Sequence, residues 1–140
     1  MAGGLSTILG VNLVTPRGVV AHTDADSVQA PGELGEFELL PGHIPMLTAI
    51  RPGVLTIGTK VRARYAVSSG YLRVDPSGAV EILVEQAVAA SAIDAEAAKK
   101  DLTTAEAELA KWGERPLDGD YVNAQQRAGW ARARLDAVAH

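Results

Sequence analysis

An antiparallel β-sandwich or barrel followed by an antiparallel two-helix hairpin, a β + α architecture, is the fold this sequence predicts, on three observations. The first half is a series of short alternating runs separated by glycine and proline turns. The second half carries apolar residues at gaps of three and four over two long stretches. Composition shifts between the halves: 11 of the 14 glycines precede residue 87, whereas 16 alanines follow residue 86 against 8 before it. The change predicts a sandwich domain over residues 1–88 and a helical hairpin over residues 89–140.

Within the first half, strand-like runs are expected at 11–14, 19–22, 27–30, 34–39, 54–57, 61–67, 71–74 and 80–84. Pro31-Gly32 and Pro41-Gly42 carry the chemistry of type II turns, in which proline presets one dihedral and glycine accepts a positive one. Between them, Leu34, Glu36 and Glu38 alternate with Gly35, Phe37 and Leu39, the pattern of a strand with unlike faces. Gly58-Thr59 and Pro76-Ser77-Gly78 supply tight reversals, so neighbouring strands pair as hairpins and a parallel α/β sheet is not expected. In 61–67, Val61, Ala63, Tyr65 and Val67 share one face, leaving Arg62, Arg64 and Ala66 on a wet, basic outer face. Glu81 points outward from 80–84.

In the second half, Ala98, Leu102, Ala105, Leu109 and Trp112 form one helical stripe, capped at its start by Ser91 or Asp94. Gly113 closes this helix and Pro116 prevents its continuation. A second helix near 118–138 carries Tyr121, Ala124, Ala128, Ala131, Leu135 and Val138 on its stripe. Alanine stripes bury little area per residue, so the hairpin is expected to be marginal alone and to dock elsewhere or change partners.

The charge of −4 argues against a nucleic-acid binder, and the absence of cysteine excludes disulfides and thiolate metal sites. The sequence shows neither a signal peptide nor a membrane span, so a soluble cytoplasmic protein without direct membrane insertion is expected. Gly58-Thr59-Lys60 reads as a hairpin turn rather than a phosphate loop, and no nucleophile elbow occurs. Glu36, Glu38 and His43 could be arranged as a carboxylate–imidazole pair. They lack an accompanying nucleophile or ligand set, and a turn histidine bonded to local backbone is the simpler reading. No catalytic residue, cofactor or metal site is therefore assigned. Arg127 and Arg134, seven residues apart, share one shoulder of the second helix beside Trp130, with Arg132 on the other. They form either a solvated basic face or a cation–π contact.

The run from Ala30-Pro31-Gly32 through Gly35-Glu36 and Leu40-Pro41-Gly42-His43 to Pro45 and Leu47-Thr48-Ala49-Ile50 resembles the epsilon subunit of the F-type ATP synthase. Val14-Thr15-Pro16, Gly18, Pro52-Gly53, Tyr65-Ala66-Val67-Ser68, Gly70-Tyr71-Leu72, Val74 and Ile93-Asp94 extend the resemblance along nearly the whole chain. It implies a non-catalytic central-stalk subunit, peripheral on the cytoplasmic face of the bacterial inner membrane. Its sandwich would bind the gamma subunit and the c-ring, and its hairpin would be a movable inhibitor of ATP hydrolysis. By motif position, Glu36 and His43 face the c-ring. Arg127, Arg132 and Arg134 would meet the alpha/beta catalytic head when the hairpin is extended. Some members bind ATP through I-D-x-x-R-A; here Ile93-Asp94-Ala95-Glu96-Ala97-Ala98 has Ala97 in place of arginine, so weak or no ATP binding is expected. Glu38 and Ser69 stand where glycine is frequent. The alternatives are a free-standing interaction or nucleotide-sensing β-sandwich module, and an enzyme using Glu36 and His43.

Overall fold

The structure, a computed structural model describing residues 8–139, opens with ten strands. They are β1 (Leu9–Thr15), β2 (Gly18–Ala25), β3 (Ser27–Gly32), β4 (Gly35–Leu39), β5 (Met46–Ile50), β6 (Gly53–Gly58), β7 (Ala63–Val67), β8 (Gly70–Val74), β9 (Ala79–Val84) and β10 (Ala87–Ala89). A 3-10 turn at Ala90–Ala92 leads into α1 (Ala95–Ala110) and α2 (Gly119–Val138). The strands lie in the order β10-β7-β6-β3-β5-β8-β9-β1-β2, with β4 on the other side of β3. This is the β-sandwich and helical hairpin expected.

Hairpin pairing holds at β1–β2, β3–β4, β6–β7 and β8–β9. Strands distant in sequence pair antiparallel at β3–β5, β3–β6, β5–β8 and β7–β10, and β1 runs parallel to β9, with Val11 beside Val80 and Leu13 beside Ile82. The whole intervening sandwich serves as the crossover that a parallel pair requires. Residues from β1 to β9 fill one core, in which Leu9, Leu13, Leu39, Leu55, Leu72 and Ile82 are fully buried. Each such side chain contributes roughly 1.5–3 kcal/mol when taken out of water.

Three local expectations need correction. The reversal assigned to Pro31-Gly32 lies at Glu33-Leu34: Pro31 pairs with Glu36 and Gly32 with Gly35, so Pro31-Gly32 completes β3. Gly32 is required by close approach, since a Cβ there would sit 2.8 Å from the Gly35 carbonyl oxygen and the Phe37 ring. Pro41-Gly42 does turn, with Gly42 at φ 85°. Strands β5 and β10 were not expected; β5 lacks clean alternation and β10 has only three residues. Ser68 anchors β10's start, its backbone N–H donating to the Gln86 carbonyl at 3.0 Å and its Oγ accepting from Gln86 N–H at 2.8 Å.

Between β8 and β9, the Asp75 carboxylate accepts from the Ser77 hydroxyl at 2.6 Å and from the Ser77 and Ala79 backbone N–H groups. The Ser77 side-chain bond, followed by the Ala79 N–H, holds its pKa below the usual aspartate value.

Asp94 caps α1 by accepting from Ala97 N–H at 3.1 Å, while Ser91 lies in the preceding 3-10 turn. Asp118 caps α2 through the N–H groups of Asp120 and Tyr121. At the hairpin tip, buried Trp112 donates Nε1–H to the Pro116 carbonyl at 3.1 Å and meets Tyr121 edge-on at 5.2 Å. The Arg115 guanidinium covers the Trp112 ring at 3.9 Å.

α2 packs on α1 and also on β6 and β7. It therefore buries a wider surface than its single expected stripe: Ala133 and Ala137 are buried against Ala66, whereas Val138, expected on the stripe, is 36% exposed. The outer face of β7 is correspondingly not open to water along its length, because Ala66 lies beneath the helix. Val54, Ile93 and Trp130 complete this second, smaller apolar cluster.

Candidate functional site

All three predicted arginines of α2 pair with acids of α1. Arg134 Nη2 lies 2.9 Å from Asp101 Oδ2, Arg127 Nη2 2.6 Å from Glu108 Oε2, and Arg132 Nη2 3.9 Å from Glu106 Oε2. The first two pairs repeat at seven residues on both helices, which places them on one shoulder of an antiparallel hairpin. Arg134 is the most enclosed, its side chain 16% exposed and its guanidinium 5.4 Å from the Trp130 ring centre, so the anticipated cation–π contact forms. Sequence reasoning found the arginines but missed their partners. The signal was present in Asp101 and Glu108, whose own seven-residue spacing matches that of Arg127 and Arg134.

Glu36 and His43 have different surroundings. Glu36 is exposed on β4 and lines a groove beneath α2. His43 lies just after the Pro41-Gly42 turn, its backbone N–H donating to the Leu40 carbonyl at 3.1 Å and its Nδ1 to the Ile44 carbonyl at 2.8 Å. Among the described residues no hydrogen bond or ion pair joins the two side chains, and no cluster of three His, Asp or Glu could hold a metal ion. Leu34, Leu40 and Ile44 stand exposed around these two turns.

Residues 93–98 are occupied with structure. Ile93 packs in the cluster beneath α2, Asp94 caps α1, Ala97 supplies the capped N–H, and Ala98 is fully buried.

The sheet face made by β2, β1, β9, β8 and β5 carries a surface that sequence reasoning did not single out. Val19, Val14, Leu83, Tyr71 and Ala49 lie in one cross-strand register row. Val19, Leu83 and Tyr71 are 64%, 49% and 59% exposed, although strand alternation buries their neighbours Leu13, Ile82 and Leu72. The next outward row is polar from β2 to β8, where Asn12 accepts from His22 Nδ1 at 2.6 Å and Arg73 pairs with Glu81 at 2.7 Å, and ends on exposed Leu47. An apolar row fenced by satisfied polar pairs has the anatomy of a protein contact surface.

A family model described as ATP synthase, Delta/Epsilon chain, beta-sandwich domain matches residues 8–90. An ATP synthase epsilon chain of Geobacter sulfurreducens is 42% identical over 114 residues, spanning 81% of this chain and 80% of that protein. This chain belongs to the ATP synthase epsilon-chain family. The epsilon chain of a Synechococcus species is 37% identical over 135 residues, 93% of this chain and 96% of its own length. In fold, this chain matches a chain in the cryo-EM structure of the Euglena gracilis mitochondrial ATP synthase. The TM-score is 0.81 over 100% of this chain and 86% of that one, at 21% identity. A chain in the central stalk and c-ring structure of the Tetrahymena thermophila mitochondrial ATP synthase matches at a TM-score of 0.60 and 21% identity, covering 93% and 96%. Among the described residues no helix is long and apolar enough to cross a membrane.

Proposed function

We propose that this epsilon chain is a non-catalytic rotor subunit of the central stalk, coupling proton-driven rotation of the c-ring to ATP synthesis through gamma. The observation that carries this reading is the division between a tightly filled sandwich and a hairpin docked on it through alanines. Residues 1–88 form the fixed docking unit and residues 89–140 the movable inhibitor of ATP hydrolysis. The two sandwich faces have different availability: α2 covers β6 and β7, whereas the apolar row through Leu83 and Tyr71 is free. That free face meets gamma. Glu36 and His43, with exposed Leu34 and Ile44 around them, form the end that meets polar loops of the c-ring. The subunit is peripheral on the cytoplasmic face of the bacterial inner membrane.

Arg127, Arg132 and Arg134 meet acidic loops of the alpha/beta catalytic head only after leaving Glu108, Glu106 and Asp101. Extension therefore requires α1 and α2 to separate, exchanging one set of ion pairs for another rather than exposing unpaired charge. The ATPase rate of the assembled complex with and without residues 89–140 tests the inhibitory part. A faster rate in the truncated complex is expected, and equal rates remove the brake. Co-purification of the same truncated chain with gamma and the c-ring tests the docking part independently.

A further inference from the structure

Glycine is the poorest helix former after proline, yet Gly129 stands in the middle of α2. Its surroundings give the reason. A Cβ at Gly129 would lie 3.3 Å from Pro52 Cγ and 3.5 Å from Pro52 Cβ, at the corner between β5 and β6. Gly129, Ala133 and Ala137 follow one another at helical i, i+4 spacing, so the three share the face of α2 turned to the sheet. The corner has little freedom to yield: Arg51 N–H donates to the Pro31 carbonyl at 2.9 Å, and a Cβ at Gly53 would lie 2.7 Å from Pro31 Cβ. Pro52 is therefore a fixed knob, tied to β3 on one side and met by bare helix backbone on the other. Gly119, the other glycine of α2, has open space where its Cβ would be.

We propose that Gly129 is the positioning residue that seats α2 on the sandwich, and that its contact with Pro52 sets the balance between a docked hairpin and one lifted off the sheet. With α2 on the sheet, the missing side chain lets the helix approach the corner closely enough for Ala133 and Ala137 to reach Ala66. With α2 off the sheet, the same residue weakens the helix and no contact compensates. Glycine at this position thus favours docking. Leucine would hold the helix away from Pro52 and, at the same time, strengthen it as a free helix. The signature of the seat is a substitution that improves helix propensity yet loosens the attachment of α2. In the proposed rotor, a reading on which this last consequence rests, loosening makes more of the hairpin available as the inhibitor.

The test is amide exchange, read by mass spectrometry, on the full chain as wild type, Gly129→Leu, Pro52→Ala, the double variant, and Gly119→Leu as a control for helix propensity. Gly129→Leu is expected to speed exchange along α2 about tenfold while β8 and β9 keep their protection, because overpacking against a fixed corner outweighs the gain in propensity. Pro52→Ala removes the ring carbon nearest Gly129 and should bring the double variant back to within about threefold of wild type, as expected of residues in contact. Gly119→Leu should leave exchange unchanged or slow it. Unchanged or slower exchange in Gly129→Leu overturns the seat. So does a double variant that exchanges as fast as Gly129→Leu, a Gly119→Leu chain that speeds up equally, or loss of protection in β8 and β9 equal to that in α2. The ATPase rate of the complex assembled with Gly129→Leu separates the seat from the rotor reading. Faster exchange with a lowered rate supports both, whereas faster exchange with an unchanged rate supports the seat and removes the brake.

Discussion

The interior of the sandwich and the contact between α2 and the sandwich are both apolar and both buried, yet they are built from different residues. The interior interlocks Leu, Ile and Val from eight strands, whereas α2 rests on the sheet through Ala133 and Ala137 against Ala66, with Val54, Ile93 and Trp130 around them. A buried methylene or methyl group is worth about 0.8 kcal/mol, so a leucine removed from the interior costs several times what an alanine lifted off the sheet costs. The difference teaches that one polypeptide can join a strongly held contact to a weakly held one without changing chemistry, by choosing side-chain size. Ion pairs then supply the hairpin with what its alanines do not.

The largest expected effect is in the interior. Leu72→Ala removes a fully buried side chain from β8 and should cost about 2–5 kcal/mol in global unfolding, measured with denaturant. A smaller and more local effect should follow Ala133→Leu, which forces three extra carbons between α2 and the sheet. Overpacking of this kind costs about 1–3 kcal/mol. Here the cost is expected to appear as faster amide exchange along α2 while β8 and β9 keep their protection. Equal loss of protection in helix and strands would make the two regions one cooperative unit and end the comparison.

These two regions were unequally legible in the sequence. Strands with clean alternation, such as β9 with Val80, Ile82 and Val84 inward, and helices with Asp94 and Asp118 at their starts announce themselves through local chemistry. β5 did not, because its burial pattern is set by β3 and β8 rather than by its own alternation. Pro31-Gly32 read as a turn because Pro-Gly permits one; the actual requirement, room for the Gly35 carbonyl and the Phe37 ring, belongs to the folded hairpin. Alanine periodicity likewise showed that α2 packs against something, but alanine lies on both of its buried faces, so the sequence pattern did not separate the face toward α1 from the face toward the sheet. The arginines were visible as a shoulder, whereas their pairing depends on the register between helices, which only the tip at Trp112 and Pro116 fixes.

The smallest effect sharpens the hairpin side of the comparison, because Arg127 and Arg134 make equivalent pairs in unequal surroundings. The side chain of Arg127 is 58% exposed and that of Arg134 16% exposed. An exposed pair contributes about 0.2–1 kcal/mol and is screened by salt, so the cost of Arg127→Ala should fall toward zero as sodium chloride is added. Arg134→Ala also removes a largely enclosed side chain whose stem is withdrawn from water, a contribution that salt does not screen. Its Nε finds no partner while buried, so this side chain carries a desolvation cost that holds its net contribution near that of an ordinary surface pair. The expected result is a loss of roughly 1 kcal/mol or less for each variant at low salt, with a residue surviving high salt only for Arg134→Ala. Urea unfolding followed through tryptophan fluorescence at both salt concentrations measures it. If both variants lose the same stability at low salt and neither loses any at high salt, the hairpin is held by charge alone and packing around Trp130 contributes nothing to its closure.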